Sequence, residues 1–144
     1  MTKATAAPLA AGNPAGYMSN FQGTQHVVYR DVNGHIQELL WNGSWNINDI
    51  TKTTNCPLAA FGPNLTGYAY EVQGTEYVFY QDVNDQIQQL CWNGNWSNTN
   101  LSQTTDAPMA GIPGGPSGYM FAAQDTQHVI YRDIDSHIQE LWWE

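Results

Sequence analysis

The sequence predicts an all-β fold made of one unit repeated three times, and three observations carry that prediction. The run Thr24-Gln25-His26-Val27-Val28-Tyr29-Arg30-Asp31 returns as Thr75-Glu76-Tyr77-Val78-Phe79-Tyr80-Gln81-Asp82 and as Thr126-Gln127-His128-Val129-Ile130-Tyr131-Arg132-Asp133, at a constant spacing of 51 residues. These runs are β-branched and aromatic, which suits a pleated backbone. No stretch places apolar residues at helical spacing over three turns.

Turn residues divide each unit into four short extended segments. The first opens at Gly16-Tyr17-Met18, Gly67-Tyr68-Ala69 and Gly118-Tyr119-Met120, behind a stretch too rich in Pro and Gly to be helical. The second is the repeated run itself. A turn follows at Asp31-Val32-Asn33-Gly34, Asp82-Val83-Asn84-Asp85 and Asp133-Ile134-Asp135-Ser136. The third segment is His35-Ile36-Gln37-Glu38-Leu39-Leu40-Trp41 and its two copies. Asn42-Gly43 and Asn93-Gly94 then offer the positive φ angles of a tight hairpin. The fourth segment is expected from Trp45 towards Ile50 and from Trp96 towards Leu101; the third unit ends at Glu144 without a copy of it. The chain therefore reads as a single repeat domain over residues 1–144, with units 1–51, 52–102 and 103–144.

Four antiparallel strands per unit fit the blade of a β-propeller, in which each small sheet packs both faces on its neighbours. Burial on both faces explains adjacent apolar residues such as Val27, Val28 and Tyr29, where a half-exposed strand would alternate. A β-trefoil is the alternative, since it too has three four-stranded repeats. Three blades leave two sheet faces uncovered, so the propeller reading implies a homodimer that closes six blades. Thr2 to Pro8 matches the connection Lys52 to Pro57, as though a preceding blade handed over there, and the segment from Met1 to Ala7 could partly cover the short third blade.

Composition narrows the function. Four Lys and Arg stand against thirteen Asp and Glu, a net charge of −9, so no basic face exists to displace counterions from nucleic acid or to meet an anionic membrane. No apolar run is long enough to cross a bilayer as a helix. The first sixteen residues show neither a basic nor a continuous apolar segment, so a cytoplasmic protein, or one released without a recognisable signal peptide, is expected. Cys56 and Cys91 occupy unlike places in the repeat, which favours two unpaired thiols in a reducing compartment.

The rare side chains cluster at a few repeat positions. His26 with His128, His35 with His137, Arg30 with Arg132, and Glu38 with Glu140 recur in the outer units, and the middle unit replaces them with Tyr77, Gln86, Gln81 and Gln89. Positions that switch together suggest side chains that meet. They form either a hydrogen-bonded network between the second and third strands or a set of ligand contacts. His26 and His35 lack metal-ligand spacing and a third ligand, so no metal or other cofactor is expected. The Asp31-Val32-Asn33-Gly34 turn starts like a calcium loop but lacks its later ligands. No nucleophile elbow, His-Glu-x-x-His pair or phosphate-cradling loop occurs, and acidic residues that recur per unit do not converge on one cleft, so catalysis is not expected.

Six Trp and eight Tyr exceed what three small sheets need inside, and Trp41, Trp45, Trp92 and Trp96 flank hairpin turns where a ring can stay partly exposed. A sugar offers an apolar C–H face to such rings and hydroxyls to Glu, Asn and Gln. The alternative for each Trp is to seal one blade against the next.

The pattern Val28-Tyr29, a turn, Ile36-Gln37-Glu38-Leu39-Leu40-Trp41-Asn42-Gly43 and then Trp45 resembles the repeat of the fucose-binding propeller lectins of fungi and soil bacteria. The resemblance touches all three units. It implies six blades, in some cases assembled from short chains, and sugar held between blades by an Arg and a Glu of one blade and a Trp of its neighbour. The family Glu falls on Glu38 and Glu140 but on Gln89 in the middle unit. The Trp positions fall on Trp41, Trp92 and Trp143, and on Trp45 and Trp96 after the turn. The family Arg falls on Val27, Val78 and Val129, while Arg30 and Arg132 lie three residues later, on the opposite strand face. The expectation is a multivalent carbohydrate-binding lectin. Its contacts are expected at Glu38, Glu140, Trp45 and Trp96, with Trp41, Trp92, His26, His128, Arg30 and Arg132 around them. A non-catalytic protein-binding scaffold or toxin-associated module is the alternative.

Overall fold

A computed structural model describes residues 5–144, in which eleven strands form three separate antiparallel sheets. Blade 1 comprises β1 (Ala15–Ser19), β2 (Thr24–Arg30), β3 (Ile36–Trp41) and β4 (Trp45–Asp49). Blade 2 comprises β5 (Thr66–Tyr70), β6 (Thr75–Gln81), β7 (Ile87–Trp92) and β8 (Trp96–Asn100). Blade 3 has three strands, β9 (Ser117–Phe121), β10 (Thr126–Arg132) and β11 (Ile138–Trp143). Each sheet is a meander in chain order, and the inner strands β1, β5 and β9 lie side by side. This is the blade arrangement of a β-propeller. The trefoil alternative fails because, among the described residues, no strand ladder joins one sheet to another.

Strand register fixes what each face carries. On the forward face of blade 1, toward blade 2, stand Tyr17, His26, Val28, Arg30, Ile36 and Glu38; on its rear face stand Gln25, Val27, Tyr29, Leu39, Trp41 and Trp45. The forward face meets the rear of blade 2, where Val28 and Ile36 pack with Val78, Tyr80 and Leu90. The same pattern one step on buries Tyr77, Phe79 and Ile87 against Val129, Tyr131 and Leu141. Blade 2, with a neighbour on each face, carries buried apolar side chains on both. The forward face of blade 3 has no neighbour among the described residues: Ile36 and Ile87 are fully buried, whereas their counterpart Ile138 is 73 % exposed.

Local chemistry repeats as faithfully as the packing. Each Asp31-type carboxylate fills its own turn: Asp31 Oδ1 accepts the Asn33 and His35 backbone N–H groups, and Oδ2 accepts Gln37 Nε2. Asp82 and Asp133 do the same, so these carboxylates are satisfied as turn acceptors, as the hairpin reading expects. The Tyr29, Tyr80 and Tyr131 hydroxyls each donate to the carbonyl of the Pro that opens their unit, at 2.7–2.8 Å.

Three details differ from the sequence reading. The fourth strands run to Asp49 and Asn100 as expected, but one-turn helices that were not expected follow them, α1 (Ile50–Thr54) and α2 (Leu101–Thr105). The cause is capping: the Asp49 and Asn100 side chains accept the backbone N–H groups of Lys52 and Gln103. The Asn-Gly hairpins use positive φ at Gly43 and Gly94 alone, because Trp41 pairs with Trp45 and Trp92 with Trp96 across a three-residue loop. Of the segment Met1 to Ala7, residues 1–4 lie outside the described residues, and Ala7 packs on Tyr29 and Leu39 of blade 1. Cys56 and Cys91 are both unpaired thiols.

Candidate functional site

The junction between blades 1 and 2 holds a buried polar cluster. On β2, His26 places Nδ1 2.8 Å from Glu38 Oε1 on β3, while its Nε2 lies 2.7 Å from Thr24 Oγ1 and 3.5 Å from Glu76 Oε1 on β6. The Tyr17 ring stacks on the imidazole at 4.7 Å, nearly parallel. The Tyr17 hydroxyl donates to Glu76 Oε2 at 3.1 Å, Gln22 Nε2 donates to Glu76 Oε1 at 2.7 Å, and Asn48 Nδ2 donates to Glu38 Oε2 at 3.3 Å. His26, Glu38 and Glu76 are all buried. Burial pushes the Glu76 carboxyl above its usual range, and the nearby negative charge of Glu38 adds to the rise; His26 and the Tyr17 hydroxyl oppose it. Burial, followed by the two carboxylates, raises the Tyr17 phenol well above its ordinary value.

His26, Glu38 and Glu76 offer three potential ligand atoms within 4.8 Å of one another. Both imidazole nitrogens and all four carboxylate oxygens already have hydrogen-bond or ion-pair partners, so the chemistry the cluster displays is that of a satisfied network binding two blades.

The positions that switch together resolve into separate groups. His26 meets Glu38, and His128 meets Glu140 with Nδ1 2.9 Å from Oε1. His35 instead pairs with Asp49 at 2.9 Å, and blade 2 replaces both members, with Asn100 Nδ2 donating to Gln86 Oε1. Arg30 donates from Nε to the Ala59 carbonyl and lies over the Phe61 ring at 5.5 Å; Gln81 reaches the equivalent Ala110 carbonyl. Arg132 donates to the Pro113 carbonyl. The arginines therefore stitch inter-blade connections on the forward face, and Val27, Val78 and Val129 occupy the rear faces.

The Trp residues sit at the outer hairpins. Trp41 and Trp45 lie 5.5 Å apart at 56°, Trp92 lies 6.3 Å from Phe21 of blade 1, and Trp96 packs against the first core; all four keep part of their surface in solvent. Glu140 is exposed, with His128 half-buried beneath a parallel Tyr119 ring. The structure thus brings His26 to Glu38 and His128 to Glu140, but leaves Arg30 and Arg132 apart from them. Glu76, Tyr17 and Gln22 were missed by sequence reasoning. The signal for Glu76 was its place in the repeat, where Gln25 and Gln127 stand in the other units on a rear face otherwise rich in apolar residues.

No protein-family model matches the sequence, and no curated protein matches it by sequence. Solved structures match it in three dimensions. AofleA from Arthrobotrys oligospora superposes with a TM-score of 0.72 at 18 % identity over 95 % of this chain and 39 % of its own. The Aleuria aurantia lectin, a six-bladed β-propeller with a described fucose recognition mode, gives 0.70 at 13 % identity over 95 % of this chain and 43 % of its own. A fucose lectin from Kordia zhangzhouensis, solved with methyl-fucoside, gives 0.58 at 18 % identity over 91 % of this chain and 92 % of its own. The chain spans about two-fifths of the length of the first two proteins. Its fold is that of three consecutive blades of a six-bladed β-propeller of the kind found in the fucose-binding lectins.

Proposed function

We propose that this chain is a carbohydrate-binding lectin that holds neutral sugars at its blade junctions without transforming them, and that two copies together present a multivalent ring. The observation that carries the reading is the partly exposed Trp pair at the outer hairpin of each complete blade, Trp41 with Trp45 and Trp92 with Trp96, beside amide-bearing strands that include Asn46, Asn48 and Asn98. Aromatic faces take the C–H side of a sugar, and carboxylates and amides take its hydroxyls. Glu38, held by His26 and Asn48, and Glu140, held by His128, stand at the same repeat position and support the polar side of a junction. The fold it shares with proteins named as fucose lectins supports the same reading, with fucosides the first ligands to try. Repeating weak sites on one rigid body raises avidity through effective concentration.

A second reading, a protein-binding scaffold, draws on a rim of exposed apolar side chains that recurs in every blade: Leu9 with Val32, Leu58 with Val83, and Met109 with Ile134. A glycan array separates the two. The lectin reading expects signal on a defined sugar class, competed by the free monosaccharide and lost in Trp45→Ala/Trp96→Ala. An array that stays dark with folded, intact protein overturns it.

A further inference from the structure

The hairpin between β1 and β2, residues 20–23, reaches across to blade 2. The backbone N–H and the Nδ2 of Asn20 donate to Glu71 Oε1 at 2.8 and 3.1 Å, and the Phe21 backbone N–H donates to Glu71 Oε2 at 2.9 Å. Gln22 Nε2 adds its bond to Glu76. A carboxylate that accepts three N–H groups holds the hairpin in one place. So fixed, the Phe21 ring lies against the Trp92 ring, with centroids 6.3 Å apart and planes at 33°. It also passes over Gly74, where an added Cβ would meet it at 3.8 Å.

Trp92 and Glu38 stand on the two sheet faces that meet at this junction, the rear of blade 2 and the forward face of blade 1. They are the groups that would take the C–H face and the hydroxyls of a sugar there. Both are already engaged by the protein itself, Trp92 by Phe21 and the two Glu38 oxygens by His26 and Asn48. A sugar ring between Phe21 and Trp92 would need about 7–8 Å from face to face, two contacts of about 3.5–4 Å each, and the two rings lie closer than that.

Blade 2 does not repeat the arrangement on blade 3. Val72 occupies the Phe21 position and is 84 % exposed, and Ala122 stands where Glu71 anchors the hairpin. Gln89 occupies the Glu38 position, and its Oε1 is buried with no hydrogen-bond partner among the described residues. Among those residues, the strap is confined to the junction of blades 1 and 2.

We propose that Phe21 is a built-in occupant of the sugar position on Trp92, strapped there by Glu71, and that it closes this junction to ligands that the exposed rings elsewhere can take. A saccharide must displace the Phe21 ring to reach Trp92, so its apparent affinity falls with the fraction of chains in which the strap is open. The proposal rests on the lectin reading and narrows it: of the pair on blade 2, Trp96 stays available to sugar and Trp92 does not.

Two variants release the strap by different routes. Phe21→Ala removes the ring, and Glu71→Ala, which copies Ala122, removes its anchor. Hydroxyl-radical footprinting without sugar, read residue by residue by mass spectrometry, is expected to show Trp92 oxidised at least threefold faster in both variants than in the parent. In calorimetric titration, Phe21→Ala is expected to bind methyl fucoside at least threefold more tightly than the parent, and adding Trp92→Ala to that variant removes the gain. Unchanged Trp92 oxidation in both variants overturns the proposal. So does a parent that binds the fucoside while Phe21→Ala binds it no better, or a gain that survives Trp92→Ala; the lectin reading stands in each of these cases. Parent and variants that all leave methyl fucoside and a glycan array unbound overturn the lectin reading, and this proposal with it.

Discussion

Ile36, Ile87 and Ile138 occupy one repeat position in three environments, and truncating each to Ala separates folding from assembly. Ile36 and Ile87 have no exposed surface, so either change removes three buried carbons and leaves a cavity, with a cost of about 2–4 kcal/mol to the stability of the chain itself. Ile138 is 73 % exposed, and its truncation in a separated chain should stay within about 0.5 kcal/mol of the parent. In the two-chain ring proposed above the same side chain would be covered. Three carbons at about 0.8 kcal/mol each, scaled by that exposed share, give about 1.8 kcal/mol per junction. Two junctions per ring double this to about 3.5 kcal/mol, roughly a 300-fold weaker dimer. Urea unfolding at low and high protein concentration measures the first quantity, and sedimentation measures the second. If Ile138→Ala lowers the stability of the dilute chain as much as Ile87→Ala, or leaves the dimer constant within threefold of the parent, the reasoning about uncovered sheet faces is wrong.

Other perturbations probe the polar and aromatic parts. Because the Glu76 carboxyl is raised in the folded state, its contribution is fully present below the unfolded carboxyl value and is lost as pH rises through the folded one. Glu76→Gln keeps an acceptor for Tyr17, as Gln127 does for Tyr68, so the variant should gain on the parent as pH rises above the ordinary carboxyl range; a gap that does not widen in pH-dependent denaturation refutes this. Tyr80→Phe leaves the Pro57 carbonyl without its buried donor and should cost about 1–2 kcal/mol in urea unfolding, and an unchanged midpoint would show that the bond contributes nothing. Trp45→Ala should reduce sugar binding at least tenfold in calorimetric titration with near-native stability, whereas a folded variant of unchanged affinity removes Trp45 from the site.

Much of the fold was legible because the repeat is written in side chains with unambiguous jobs. The Thr24 to Asp31 run and its copies fixed β2, β6 and β10, and its adjacent apolar residues mark a sheet covered on both faces in blade 2, where Val78 and Phe79 are fully buried, whereas Val27 of blade 1 is only partly buried. The one-turn helices were not legible: Asp49 and Asn100 look like ordinary polar strand residues until their side chains are seen capping the next turn. The candidate site was half legible. Residues that switch together do meet in the His26–Glu38 and His128–Glu140 pairs, since one face of neighbouring strands brings them together. Glu76 escaped because its partners lie across a blade junction, 50 residues or more from Tyr17, Gln22 and His26, and no local pattern encodes a contact between sheets.

The most direct test of the whole account is the mass of the unaltered 144-residue chain in solution, measured by light scattering at micromolar concentration without sugar. A chain of 16.1 kDa whose open blade faces require one another should scatter as a particle of about 32 kDa, twice the chain mass. A stable, folded species of single-chain mass up to the highest concentration reached would contradict it.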